Sequence, residues 1–212
     1  MKKINFLMRN AAIVIVACLA VSVMFTSCDE DELPSVDEQG LTENIRNIIP
    51  DEYITTLKEL GLIINGGNKP PTIEGKYLAN PMVLVKSNTG TTISSQWDMY
   101  VTFSKQNNTK LTIEANYTMQ SENGPMSVDG IGSYIIGEGK KFTVFIDARR
   151  VQGGHTAKTV EFFSGEIVTE GIKNFQWGVL MIDDAGDPLG IWIENGKGYV
   201  KKDGDDLAEK VD

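Results

Sequence analysis

Residues 97–104 read Trp-Asp-Met-Tyr-Val-Thr-Phe-Ser, and residues 111–120 read Leu-Thr-Ile-Glu-Ala-Asn-Tyr-Thr-Met-Gln. In both stretches, apolar or aromatic side chains alternate with polar ones. Successive side chains of a β-strand point to opposite faces, so this period of two places one face in a core and the other in water. The two stretches therefore predict two half-buried strands.

The same alternation continues towards the C-terminus, at Phe142, Val144, Ile146 and Ala148 and again at Phe175, Trp177, Val179 and Met181. Turn-forming sequences separate the runs, among them Glu122-Asn123-Gly124, Gly137-Glu138-Gly139 and Asn195-Gly196. The pattern predicts about eight or nine strands between Ile73 and Lys201.

Short connections between these strands favour antiparallel neighbours, because parallel pairs need long crossovers. A meander of many long strands also has edges that must be protected, and a closed barrel removes them. The predicted fold is therefore all-β: an antiparallel up-and-down β-barrel of about eight strands, with a short N-terminal helix packed on it.

Two short helices are predicted before the strands. Thr42 is placed to cap a helix that ends at Ile49, and a second helix starts at Asp51, directly after Pro50. Its apolar residues recur at helical spacing, and Gly61 is placed to end it; these residues are Tyr53, Ile54, Leu57 and Leu60. The Gly- and Pro-rich run 65–71 then separates the helices from the strands.

The first 27 residues are typical of a secretory signal peptide. A positively charged start (Lys2, Lys3 and Arg9) precedes the apolar run Ala11–Phe25. This run is too short for a comfortable membrane span, so the segment 1–27 is excluded from reasoning about the fold.

The end of this segment, Phe25-Thr26-Ser27-Cys28, resembles a bacterial lipobox, although Phe25 stands where Leu is usual. The resemblance implies that the Cys28 thiol receives a diacylglycerol group, that palmitate is added, and that Cys28 becomes the first mature residue. Ordinary signal-peptidase cleavage, with Cys28 unmodified, is the alternative. Since Cys18 leaves with the signal, the mature chain has no second thiol for a disulfide.

The predicted domain organisation follows from these segments. Residues 28–40 form the lipidated Cys28 and an acidic flexible tether, 41–71 the helical lead-in and linker, 72–202 the barrel, and 203–212 an acidic disordered tail. The acidic run 29–32 resembles the export signal of surface lipoproteins of Bacteroidetes; a solvated spacer is the alternative. The predicted location is the outer membrane, at the cell surface or the periplasmic face.

The mature chain resembles the lipocalin-like, or calycin-like, lipoproteins of Bacteroidetes. The resemblance depends on the lipobox, the helical lead-in and the run 65–71 before Ile73-Glu74-Gly75-Lys76-Tyr77. Gly75-Lys76-Tyr77 stands where lipocalins carry a Gly-x-Trp signature, whose aromatic ring closes one barrel end. Tyr77 replaces that Trp, and Lys201 and Lys202 are the nearest substitutes for the Arg that stacks on it in the family.

The resemblance implies a small hydrophobic or amphipathic ligand, such as a lipid, inside the barrel. A barrel of about eight strands holds either one small ligand or a filled core, so a fully packed interior is the alternative. The predicted ligand-binding residues are the inward-facing ones: Tyr77, Trp97, Met99, Val101, Phe103, Ile113, Tyr117, Phe142, Val144, Phe175, Trp177 and Val179.

Catalysis and metal binding have little support in the sequence. His155 is the only His, so a Ser-His-Asp site would depend on it entirely, and zinc sites need several His or Cys ligands. The acidic groups that remain are the strand residues Glu114, Asp147, Glu161 and Glu166, and two Asp clusters without EF-hand spacing (Asp183, Asp184 and Asp187; Asp203, Asp205 and Asp206). We expect a binding protein without catalytic residues, metal or cofactor.

Charge and surface composition limit the partners. The net charge of −9 becomes −12 once the basic signal is removed, which argues against nucleic acid. Some strands are apolar on both faces, so their outer face needs either the 51–60 helix or an outer-membrane protein partner as a cover. The rival function is an accessory or glycan-binding subunit of a surface polysaccharide-uptake assembly, with Tyr100, Trp192 and Tyr199 as candidate sugar-stacking aromatics.

Overall fold

The computed structural model describes residues 32–90, 96–121, 124–129, 133–152 and 154–212. The predicted signal peptide, Cys28 and residues 29–31 lie outside these ranges. Within the described residues, no helix is both long enough and apolar enough to cross a membrane.

The described residues form two helices and eleven strands. The helices are α1 (Glu43–Ile48) and α2 (Asp51–Glu59). The strands are β1 (Asn68–Lys69), β2 (Gly75–Ser87), β3 (Trp97–Asn107), β4 (Thr112–Ser121), β5 (Gly124–Asp129), β6 (Ser133–Glu138), β7 (Lys141–Gln152), β8 (His155–Ile167), β9 (Gly171–Asp183), β10 (Gly198–Asp203) and β11 (Leu207–Val211).

These strands close into a barrel-like ring of eight positions, in which every neighbouring pair is antiparallel. Two positions each contain two successive short strands: β5 and β6 both pair with β4, and β10 and β11 both lie between β9 and β2. The predicted fold class, an antiparallel ring of about eight strands with a short helix before it, is confirmed.

The two ends of the ring differ in their connections. Turns 108–111, 139–140 and 168–170 lie at the end where β2 begins, which we call the lower end. The ends of β2 at Ser87, of β7 at Gln152 and of β9 at Asp183 lie at the opposite, upper end. On the inner face of β3, Phe103 therefore lies near the lower end of the ring and Trp97 near the upper end.

The helices begin and end where the sequence indicates. The Thr42 side chain accepts a hydrogen bond from the Ile45 N–H and so caps α1, because the first N–H groups of a helix have no partner within it. α2 follows Pro50 and ends before Gly61, whose φ of +92° suits glycine at a helix end.

The wall of the ring has an apolar core on each side. The interior cluster includes Tyr77, Met99, Phe103, Tyr117, Phe163 and Trp177. The outer cluster joins helix residues such as Ile45, Ile54 and Leu57 to wall residues Ile136, Phe145, Val160, Phe162, Leu180 and Val200. The helical lead-in thus covers the outer face of the strands that are apolar on both faces.

Polar bonds fasten the segment after α2 to the same outer face. Gln176 accepts from the Ile63 N–H at 2.9 Å and donates to the Gly61 carbonyl at 2.9 Å. Asn65 donates to Ser164 Oγ at 3.1 Å, and its N–H donates to Thr143 Oγ1 at 2.8 Å. These bonds satisfy polar groups that the packing removes from water.

The structure differs from the predicted domain boundaries at both ends of the barrel. Leu207–Val211 forms β11, and Ala208 is fully buried, so the predicted disordered tail 203–212 is wrong for this segment. The predicted tether 28–40 extends too far, because Val36 forms a bridge with Thr42 and Asp37 bonds to Arg46. Residues 36–40 therefore belong to the folded domain.

Candidate binding site

The lower end of the ring is filled by aromatic rings. The Tyr77 hydroxyl donates to the Ile73 carbonyl at 3.0 Å, and its ring lies 6.1 Å from that of Phe103. Phe103 in turn lies 6.2 Å from Phe142 and 5.5 Å from Phe163, both edge-on. Tilted and edge-on rings at these distances are well packed, so this half of the interior is a core.

The position of Tyr77 also corrects one expectation drawn from lipocalins. Lys201 and Lys202 do not lie beside Tyr77; Lys210 of β11 is its cross-strand partner. A Cβ built on Gly75 would lie 3.3 Å from Lys210 Cε and 3.4 Å from the Tyr77 hydroxyl. The lysine paired with Tyr77 across the strands therefore comes from the segment that was predicted to be a disordered tail.

A second group of aromatic residues lies nearer the upper end, around Trp177. The Trp177 ring lies 5.7 Å from Tyr117, 5.7 Å from Tyr199 and 6.4 Å from Trp97. Trp177 is fully buried, whereas Trp97 and Tyr199 are only partly buried. This aromatic layer separates the filled lower half from the upper end.

Arg150 and Glu161 form an ion pair on the inner face of the ring, next to Tyr117 of this aromatic layer. Arg150 Nη2 is 2.7 Å from Glu161 Oε1, and its Nε is 3.1 Å from the same oxygen. Tyr117 donates its hydroxyl proton to Glu161 Oε2, and Arg150 Nη2 is also 3.4 Å from that hydroxyl. Glu161 is fully buried, whereas 21% of the Arg150 side chain is exposed, so only the cation of this pair reaches solvent.

Burial and charge shift the proton affinities in this group. Burial raises the pKa of Tyr117 well above its ordinary value, and the negative charge of Glu161 raises it further. Burial also raises the pKa of Tyr199 to about 12. Burial alone would lower the pKa of Arg150, but the attraction of Glu161 outweighs it and the net shift is upwards. All three groups therefore keep their protons at neutral pH.

A second cation is enclosed at the same level. Lys201 is fully buried, and its Nζ lies 3.4 Å from the centre of the Trp97 ring, a cation–π contact. Burial lowers the pKa of Lys201 to about 8. The side chain therefore still carries its charge at neutral pH.

Three hydrogen-bonding groups in this region have no hydrogen-bond partner among the described residues: Trp97 Nε1, Trp177 Nε1 and Thr159 Oγ1. Thr159 is on the same strand face as Glu161 and pairs with Ala148 of the interior cluster. Buried polar groups are nearly always hydrogen-bonded, so each of these groups requires an explanation.

The structure brings together the residues that were predicted to bind a ligand. All twelve are at least partly buried, and eleven of them belong to the interior cluster or pack against it. Val179 is also buried and alternates with Trp177 on β9. Their placement on one inner face is thus observed, and ligand binding by them stays a prediction.

From the sequence, Arg150 and Thr159 were not assigned to the interior, and Lys201 was considered only as a substitute for the Arg that stacks on the signature aromatic in lipocalins. A signal was available for two of them, because Arg150 continues the alternation of Ile146 and Ala148, and Lys201 continues that of Tyr199. A charged side chain at such a position is ordinarily assigned to solvent. Glu161 was considered only as one of several strand acids.

The other candidates do not assemble into one site. Tyr199 faces the interior, whereas Tyr100 lies on the outer face, with Lys76 Nζ 5.3 Å from its ring centre. Among the strand acids, Glu161 is inside, whereas Glu114 pairs with exposed Lys105 and Asp147 with Lys158.

The loop residues have local roles. The carboxylates of Asp183, Asp184 and Asp187 accept backbone N–H groups within the connection 184–197. His155 is the first residue of β8, opposite Gln152. Within the described ranges, no group of three or more His, Cys, Asp or Glu residues is arranged to hold a metal ion.

Comparison with known proteins adds no relative from which a function would follow. Searches with protein-family models, curated protein sequences and solved structures return no match for this chain.

Proposed function

We propose that this protein is a lipid-anchored binding protein that holds a small hydrophobic or amphipathic ligand at the upper end of a lipocalin-like barrel. The observation that carries the proposal is the set of buried groups without hydrogen-bond partners, Trp97 Nε1, Trp177 Nε1 and Thr159 Oγ1. The two indole groups belong to the aromatic layer around Trp177, and Tyr117 of the same layer donates to Glu161 of the ion pair.

These unpaired groups have an energetic cost. Leaving a buried donor or acceptor without a partner costs about 1–3 kcal/mol. A ligand with polar atoms among apolar ones would satisfy the two indole N–H groups while burying its apolar part on the rings. Because Tyr77, Phe103 and Phe163 fill the lower half, the ligand occupies the upper half and is small.

The proposed anchor suits this arrangement. Pro34 accepts a hydrogen bond from Asn68, and Asn68 pairs with Gly137 next to the lower-end turn 139–140. Only a few residues then separate the folded domain from Cys28. A lipid on Cys28 would hold the lower end near the outer membrane and leave the upper end facing away from the bilayer.

Native mass spectrometry of the purified protein tests the binding function. We expect a co-purifying amphiphile that dissociates on unfolding and is lost in Trp177→Ala, which opens the aromatic layer. Tyr100→Ala, on the outer face, is the matched control and should retain it. Protein that carries no small molecule and instead binds on a glycan array would contradict the proposal and support the accessory role in glycan uptake.

Metabolic labelling with radioactive palmitate tests the anchor separately. We expect label on the wild-type chain and recovery of the protein with outer membranes. Cys28→Ala should remove the label and release the protein, whereas Cys18→Ala should change neither. Equal labelling of the wild type and Cys28→Ala would refute the anchor without affecting the binding proposal.

A further inference from the structure

The hydrogen-bonding groups at the upper end point to the chemical class of the ligand. We propose that the ligand is an anionic amphiphile whose oxyanion head group is bound by Arg150 and Tyr199, with its apolar body on Trp97 and Trp177. This inference rests on the proposed function, because it names the ligand class of the same site.

Hydrogen-bond donors are in excess at this site. Within the described part of the chain, Arg150 uses Nε and Nη2 for Glu161 and Tyr117, and no hydrogen bond engages its Nη1 or the Tyr199 hydroxyl. Two buried indole N–H groups add further donors. A guanidinium binds carboxylate, sulfate and phosphate oxygens more strongly than neutral acceptors, so an oxyanion fits this set of donors best.

The charged groups around the site also bear on the ligand class. Two cations, Arg150 and Lys201, and one carboxylate, Glu161, belong to the cluster. The other buried carboxylate of this wall, Asp203, is turned to the backbone N–H groups of Asn80 and Asp205. Among the described residues, Glu161 is thus already bonded to Arg150 and Tyr117, and Asp203 to backbone N–H groups, so neither carboxylate is left to bind a cationic head group.

The two partners of the ion pair differ in burial. An ion pair within an apolar wall is weak support for stability, because removing both charges from water costs more than a hydrophobic replacement would. Arg150, near the upper end of β7, nevertheless remains partly exposed, while its carboxylate partner is fully enclosed. Glu161 thus fixes the orientation of the Arg150 guanidinium, and the guanidinium remains able to bind an incoming head group.

The test compares two fluorescent probes with the same apolar body, anilinonaphthalene sulfonate and uncharged phenylnaphthylamine. We expect the wild type to bind the sulfonate about tenfold more tightly, the size of one charge-assisted hydrogen bond. Dodecanoate should displace the sulfonate, whereas dodecanol should do so weakly. If dodecyl phosphate displaces it while dodecanoate fails, the head group is a phosphate rather than a carboxylate.

Two variants test whether Arg150 causes the preference for the sulfonate probe. The double variant Arg150→Gln with Glu161→Gln removes both charges and leaves no buried carboxylate unpaired; its fold is checked by circular dichroism and urea unfolding. It should bind both probes equally, whereas Arg149→Gln, which removes a neighbouring exposed charge, should keep the tenfold preference.

The outcomes separate the two proposals. Equal binding of the two probes by the wild type, or an unchanged preference in the folded double variant, would overturn the anionic head group and leave the binding function standing. Failure of the wild type to bind either probe or any of the three competitors would overturn both.

Discussion

Lys201 Nζ lies 3.4 Å from the centre of the Trp97 ring, and the lysine is fully buried. This contact depends on a charge that burial disfavours. Since burial lowers the pKa of Lys201 to about 8, the charge disappears in a pH range where most lysines keep it. The contact therefore gives the interior a spectroscopic reporter.

We predict that tryptophan emission of the wild type titrates with a midpoint near pH 8, because deprotonation of Lys201 removes a cation from the face of Trp97. Lys201→Met should abolish the transition. Lys202→Met, which removes a half-exposed cation bonded to Asp206, should retain it. A transition that survives in Lys201→Met would assign it to another group.

The buried ion pair predicts a loss of stability when one partner is removed. Glu161→Gln should lower the free energy of unfolding by about 2–3 kcal/mol, somewhat less than for a fully buried pair, because Arg150 is partly exposed. Glu114→Gln, in the exposed pair with Lys105, should change it by less than about 0.5 kcal/mol. Urea unfolding measures both, and equal effects would contradict the assigned burial.

Asp203 predicts a pH dependence with a defined sign. Burial, followed by the effect of Asp205, raises the pKa of Asp203 from 3.8 to about 6. Between these values the folded chain holds a proton that the unfolded chain has lost, so the contribution of Asp203 to stability falls as pH rises through this window. Below 3.8 that contribution is fully present.

We therefore expect the urea midpoint of Asp203→Asn, relative to the wild type, to rise between pH 4 and pH 6, because the amide keeps the neutral form. Glu209→Gln, an exposed carboxylate on β11, should show no such relative change. A constant difference between Asp203→Asn and the wild type would show that Asp203 does not titrate in this range.

The position of β11 in the ring predicts that removing it lowers the stability of the fold. β11 pairs with both β2 and β9, and it buries Ala208 in the interior cluster. A chain that ends at Asp206 should lose at least about 2 kcal/mol of unfolding free energy, since it loses these bonds and leaves a void. Removing Asp212 alone should have little effect. Unchanged thermal unfolding of the shorter chain would restore the idea of a disordered tail.

Much of the fold could be predicted because its signals are local. The alternation at Trp97–Phe103 and Phe175–Val179 assigns the inner face, and Thr42 and Pro50 define the helix starts. β11 could not be predicted, because its partners are remote in sequence and the acidic residues before it suggested a tail. Asp205 and Asp206 instead form a turn, in which Asp206 adopts a φ of +68°.

The candidate site was predictable only in its apolar part. The alternation along the strands predicts that Trp97, Tyr117 and Trp177 face the interior. A charged side chain at an equivalent position is ordinarily expected to be exposed to water. Arg150 and Lys201 lie inside because specific partners, Glu161 and the Trp97 ring, offset the cost of burial. Such partners become visible only when the strand register is known.

The two apolar clusters on either side of the wall also determine how the protein opens. Thr159–Gly165 of β8 is buried throughout, with Phe163 in the interior cluster, Val160 and Phe162 in the outer cluster, and hydrogen-bonded neighbours on both edges. No partial opening would expose these amides without disrupting both clusters. Their hydrogen–deuterium exchange should therefore require global unfolding, which makes the centre of β8 the slowest-exchanging part of the chain.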